Sequence, residues 1–118
     1  MESSFHVKLK SKMDEFVHLV YSSTKNFPKE ELYGVTSQFR RAALSVVLNY
    51  IEGYARQKKL VLINFLQISF GSIKECCYLI EFSFKEGYLN KMEYDKLLFI
   101  SDEISAMLWR TIENLEKK

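Results

Sequence analysis

The chain has 118 residues, which fits one ordinary domain and excludes two. Hydrophobic residues make up 47% and charged residues 27%, a globular balance that excludes an intrinsically disordered chain. A formal net charge of +2 gives no dominant electrostatic identity, and only four Gly and one Pro interrupt the sequence, which favours long helices with short links.

The first predicted helix runs from Ser4 to Lys25. Phe5, Leu9, Met13, Phe16 and Val20 recur at spacings of four, four, three and four, which puts them on one helical face. Asn26-Phe27-Pro28 ends it, because proline disfavours helical geometry in the residue before it. Pro28 is then suited to open a new turn, a short one over Lys29 to Tyr33. The opening stretch MESSFHVKLKSK lacks the apolar run expected of a signal peptide.

Gly34 marks a break, and Thr36 or Ser37 is the expected cap of a second long helix reaching Arg56. Phe39, Ala43, Val46, Tyr50 and Tyr54 form its expected apolar centre line. A second set on the same helix is polar. Gln38, Arg41, Ser45, Asn49, Glu52 and Arg56 fall within roughly 80° of arc and extend over about 27 Å. Most of the remaining circumference is apolar, so the helix is expected to be covered on most sides. Either another subunit lies against it or the polar stripe is partly enclosed. Three readings of the stripe stay open. It is a solvated face, or a structural network pairing Arg41 with Glu52 within or between subunits, or a ligand- or RNA-contacting surface using Arg41 and Arg56.

The third helix is expected over Leu60 to Glu86, with Gly87 as a left-handed C-terminal cap. Its outward face reads Asn64, Gln67, Lys74, Tyr78, Glu81 and Lys85. Ser69, Ser72, Cys76 and Ser83 make a face of small residues suited to close helix approach. The apolar window from Leu60 to Phe84 contains Asn64, Gln67, Lys74, Glu75 and Glu81, a series that argues against a membrane span. Asn90 and Glu93 resemble a capping box opening a fourth helix to Glu116. Its expected buried line is Tyr94, Leu97, Ile104, Leu108, Ile112 and Leu115. Leu98, Phe99 and Trp109, with Phe70, Cys77 and Phe84 on the third helix, form additional apolar stripes. These read as self-association surfaces or as an unusually wide core face.

The expected fold is therefore all-α, an antiparallel up-and-down four-helix bundle comprising the whole chain. No motif for catalysis, a cofactor or a metal stands out. His6 and His18 lie twelve residues apart, about 18 Å along a helix, and cannot share a metal within one subunit. There is no Cys-x-x-Cys pair for zinc, no Glu-x-x-His pair for a di-iron site and no glycine-rich phosphate loop. Cys76 and Cys77 point about 100° apart on a helix, unsuited to a mutual disulfide, and fit a reducing, cytoplasmic setting.

The stretch Phe27 to Leu89 resembles the 23S rRNA intervening-sequence protein family, also called the four-helix bundle protein family. The resemblance lies in FPKEELYGVTSQFRRAALSVVLNYIEGYAR, then INFLQISFGSIKE, then EGYL. Its core pattern is Gln38, Arg41-Ala42, Ser45, Asn49, Glu52-Gly53 and Arg56, followed by Phe65-Leu66, Gly71-Ser72 and Glu75. Val46-Val47-Leu48 stands where the family often has Ile-Pro-Ser. Lys58, Lys59 and Val61 replace a serine cap and acidic first turn, and Cys76-Cys77 replaces Leu-Glu.

The resemblance implies bundles that assemble as ring-like homopentamers. Some members are encoded within insertions in bacterial 23S rRNA genes, and a related branch of accessory proteins in diversity-generating retroelements binds a reverse transcriptase and RNA. On that basis the expected function is a non-enzymatic homo-oligomer binding RNA or a ribonucleoprotein, without a cofactor. The expected phosphate contacts are Lys8, Lys10, Lys12, Arg40, Lys58 and Lys59. The rival is a protein-interaction scaffold with no nucleic-acid role.

Overall fold

A computed structural model describes residues 3–118. Four α-helices, α1 (Ser4–Thr24), α2 (Val35–Ala55), α3 (Lys59–Lys85) and α4 (Lys91–Lys117), are joined by short links, the first of which holds a 3₁₀ turn at Lys29–Glu31. No strand occurs among the described residues. The molecule measures 45 × 25 × 21 Å along its principal axes.

The helix ends show how the sequence sets these lengths. Ser3 caps α1 by accepting the His6 N–H. Pro28 opens the 3₁₀ turn as its N-cap and not as its first residue: its ψ of 141° is extended, and its carbonyl accepts the Glu31 N–H at 2.9 Å. The expected cap at Thr36 or Ser37 is corrected: α2 already begins at Val35, and Thr36 is buried inside it. The Glu31 carboxylate takes over the capping role. One of its oxygens accepts the Val35 N–H at 3.2 Å, and the other accepts the Tyr88 hydroxyl at 2.9 Å. A Cβ on Gly34 would stand 2.7 Å from that same carboxylate, so glycine makes room for the cap. Gly87 has φ +80° and ends α3 as expected. Asn90 and Glu93 form the reciprocal capping box at α4.

The core is built from Leu9, Met13, Phe16 and Val20 of α1, Phe39, Ala43 and Val46 of α2, Leu66, Ile73 and Ile80 of α3, and Leu97, Ile104 and Leu108 of α4. Tyr94 and Leu115, expected on the buried line of α4, are only partly buried at its two ends. Tyr54 also departs from expectation: it is 41% exposed, because it lies toward the rim of the buried face of α2. By length and composition α3 could cross a membrane. In the fold its Ile63, Leu66, Ile73, Cys76 and Ile80 are buried in the bundle, and 22% of the apolar window as a whole is buried.

The pairings between helices fix which ends meet. His6 at the start of α1 bonds Tyr50 near the end of α2. Ser45 of α2 bonds Ser72 of α3, and Glu81 of α3 accepts from Tyr94 of α4. Lys12 of α1 pairs with Glu103 of α4 at 3.1 Å.

Candidate functional site

The polar stripe of α2 lies along its seam with α3, and its members have different fates. Gln38 donates to Glu75 at 2.5 Å. The Ser45 and Ser72 hydroxyls meet at 2.7 Å, and Asn49 donates to both the Ser45 carbonyl and its hydroxyl. Ser45 and Asn49 are half-buried, so the middle of the stripe is enclosed and hydrogen-bonded. Beside it, buried Ser69 donates to the Val46 carbonyl at 2.6 Å. Its neighbour in the small-residue face, Ser83, is buried with no partner for its hydroxyl among the described residues.

The ends of the stripe are exposed. Glu52 pairs with Arg56, one turn away, through two contacts of 2.7 Å. An Arg41–Glu52 pair within the chain is thereby corrected, since eleven residues separate the two by about 16 Å along the helix. The Arg56 guanidinium also lies over the Phe65 ring of α3. Arg41 is exposed with no side-chain partner among the described residues. Gly53 sits at a close approach of α2 to α3: a Cβ there would come within 3.0 Å of Phe65 Cβ and 3.1 Å of Leu62 Cδ1. The motif residues Ser45, Asn49, Gly53 and Ser72 thus serve the joining of two helices.

The six expected phosphate contacts divide. Lys8, Lys10, Lys58 and Lys59 are exposed and uncommitted among the described residues. Lys12 and Arg40 are corrected, because both are partly buried in internal contacts. Lys12 is paired with Glu103. Arg40 donates to Thr24 Oγ1 at 2.8 Å and its guanidinium covers the Tyr21 ring. The four uncommitted lysines share one end of the bundle, because the start of α1 meets the end of α2 and the α2–α3 link follows directly. Lys118 joins the same end, lining a small cleft with Phe5, His6 and Tyr54.

In the apolar stripes of α3 and α4, Phe70, Cys77, Phe84 and Leu98 are partly buried. Phe84 stacks on Tyr94 at 4.2 Å, Cys77 donates to Ser101, and Phe70 meets Trp109 at 5.4 Å. Phe99, at 65% exposure, and Trp109, at 51%, remain on the surface. A more continuous uncovered face lies on α2. Leu48, Ile51 and Ala55 recur at spacings of three and four and are exposed, Leu48 at 57% and Ile51 at 45%, while Leu44 one turn earlier is partly buried against the core.

A constellation absent from the expectations lies at the basic end. His6 Nδ1 is 2.8 Å from the Tyr50 hydroxyl and 3.5 Å from that of Tyr54. The His6 and Tyr54 rings meet edge to face at 5.2 Å. Burial holds the Tyr54 phenol above its ordinary pKa. These residues line a cleft of about 700 Å³ with Ser3, Lys10, Ile51 and Ala55. The sequence signal was weak: a histidine on one helix and two tyrosines four apart on another, some 44 residues away.

An all-α domain of four helices, with a hydrogen-bonded polar seam between its second and third helices, is the class that these features define. Residues 6–110 match the pattern of the family described as 23S rRNA-intervening sequence protein, and the chain belongs to that family. No curated protein matches it. Among solved structures it is similar to a Bacteroides thetaiotaomicron protein described as of unknown function from the S23 ribosomal protein family. The two share 23% identity over 92% of this chain and 98% of that one, with a TM-score of 0.83. At that identity the likeness is one of fold.

Proposed function

We propose that this protein is an antiparallel up-and-down bundle that self-associates in the cytoplasm as a ring-like homopentamer and binds structured RNA or a ribonucleoprotein, without catalysing a reaction. The observation that carries the RNA reading is the grouping of Lys8, Lys10, Lys58 and Lys59 at one end of the bundle, exposed and free of carboxylate partners among the described residues. In a ring, each copy would add its lysines to the same field, and phosphate binding through them would release counterions. The family's description, tied to an insertion in 23S rRNA, supports the same reading. Self-association is supported by the exposed apolar side chains of Leu48 on α2 and of Phe99 and Trp109 on α4.

The test is fluorescence anisotropy with a structured rRNA fragment at low and physiological salt, with duplex DNA as competitor. Sub-micromolar binding that persists at physiological salt and outcompetes DNA supports the reading. The Lys58→Glu/Lys59→Glu variant should then bind more weakly without a change of assembly mass. Absence of RNA binding at both salts overturns it and leaves the protein-interaction scaffold. Light scattering reads the assembly independently, and Leu48→Glu should reduce the mass to that of a single chain.

A further inference from the structure

The cleft at the basic end has features of a ligand site that a solvated helix junction does not need. Its volume of about 700 Å³ lies within the usual range for small-molecule sites. Its apolar wall is Ile51 and Ala55, and Tyr54 stands at its rim. The Tyr54 ring is 41% exposed yet oriented, because His6 meets it edge to face and Tyr50 packs against it at 4.9 Å. An aromatic surface held in this way loses little rotamer freedom when another ring stacks on it. The polar groups converge from one side. The His6 imidazole, with Nδ1 2.8 Å from the Tyr50 hydroxyl, lines the cleft as a polar group. Lys10 brings an ammonium group with no carboxylate partner among the described residues. Ser3 adds a hydroxyl. The cleft therefore offers a stacking ring, an apolar floor and polar groups around one cation.

We propose that this cleft binds a planar aromatic ring bearing an anionic group, the chemistry of a single nucleotide, with the ring against Tyr54 and the phosphate at Lys10. The source is either a free nucleotide or an unpaired nucleotide of an RNA strand. The strand case rests on the RNA-binding reading above, and the free case does not. Stacking on one tyrosine is tolerant of base identity, so the site would select for a ring and a charge and not for a sequence.

The experiment is calorimetric titration of the full chain with AMP, adenosine and a ten-residue adenylate strand. The strand alone binding identifies an RNA nucleotide; AMP binding as well identifies a free-ligand site. In either case Tyr54→Ala should weaken binding about tenfold or more, while Tyr54→Phe should retain it. Lys10→Gln, an exposed change that leaves the fold intact, should erase the preference for AMP over adenosine. Circular dichroism confirms that each variant is folded. The proposal is overturned if neither AMP nor the strand binds, or if binding is unaltered in folded Tyr54→Ala and Lys10→Gln. The Lys58→Glu/Lys59→Glu variant separates the two claims. If it loses the rRNA fragment and the cleft variants do not, the RNA reading stands and the strand source falls; if AMP does not bind either, the cleft reading falls with it. If AMP binds and no RNA does, the cleft reading stands and the RNA reading falls.

Discussion

The hydroxyls of Ser45 and Ser72 meet at 2.7 Å across the seam between α2 and α3, and Asn49 closes the arrangement by donating to Ser45. Two small side chains that bond each other let the helix backbones approach while leaving no half-buried donor without a partner. Ser45→Ala leaves the half-buried Ser72 hydroxyl without its partner and should cost about 1 kcal/mol, and Ser72→Ala should cost less, since Ser45 still accepts from Asn49. The double variant should cost less than the two singles together. Chemical denaturation of the four proteins gives the coupling energy, and strict additivity would show that the pair contributes nothing as a pair.

Two glycines of the family pattern should respond with opposite signs. A Cβ at Gly53 meets Phe65 Cβ at 3.0 Å and Leu62 Cδ1 at 3.1 Å, whereas a Cβ at Gly71 meets nothing within 4 Å. Gly53→Ala gains helix propensity but overpacks the seam, for a net loss of roughly 1 kcal/mol. Gly71→Ala, exposed in mid-helix, should gain up to about 1 kcal/mol. Thermal melting of the two variants would show a lowered and a raised Tm. A rise in both would mean that the seam has slack.

Much of the architecture was legible because it rests on local chemistry. The spacing of Leu9, Met13, Phe16 and Val20, the breaker at Pro28, the left-handed Gly87 and the Asn90–Glu93 box each act within a few residues. What was not legible depends on contacts far apart in the chain. Glu31 displaced Thr36 as the cap of α2, a role fixed in part by Tyr88 from the α3–α4 link. Lys12 and Arg40 looked like free surface cations, and only the packing of α1 against α4 and α2 shows them engaged. The stripe on α2 was visible as a pattern. That its centre is a helix seam and its ends are solvated depends on where α3 lies. The cleft escaped because His6 and Tyr54 become neighbours only when the start of α1 meets the end of α2.

The α4 cap offers a cleaner local test. Asn90 accepts the Glu93 N–H at 2.8 Å, and Glu93 accepts the Asn90 N–H at 2.9 Å. Asn90→Ala removes the first bond and weakens the second, and should cost about 1 kcal/mol. For a domain of this size that lowers Tm by roughly 4 °C. Asn90→Ser keeps a capping oxygen and should melt close to the unaltered protein. Equal losses in both variants would place the effect outside the cap.

Alkaline pH should unfold this protein earlier than its helix content suggests, and the sign follows from the titrating groups. Tyr88 is held above the ordinary phenol value first by its bond to Glu31, and Tyr94 first by its bond to Glu81. Burial raises Tyr54 and, foremost among its causes, Cys76. All four groups are neutral when protonated, and all are shifted upward. Their contribution to stability is therefore complete below the ordinary values, about 8.5 for a thiol and 10 for a phenol, and is lost as pH rises through the folded-state values. Tm should stay level with respect to these groups up to about pH 8, then fall as the thiol and the phenols become able to ionise on unfolding. Tyr88→Phe/Tyr94→Phe removes two of the titrating donors, so its Tm should fall less steeply across the alkaline range, from a lower starting point at neutral pH. An alkaline slope identical to that of the unaltered protein would show that the two tyrosine–glutamate bonds do not couple folding to pH.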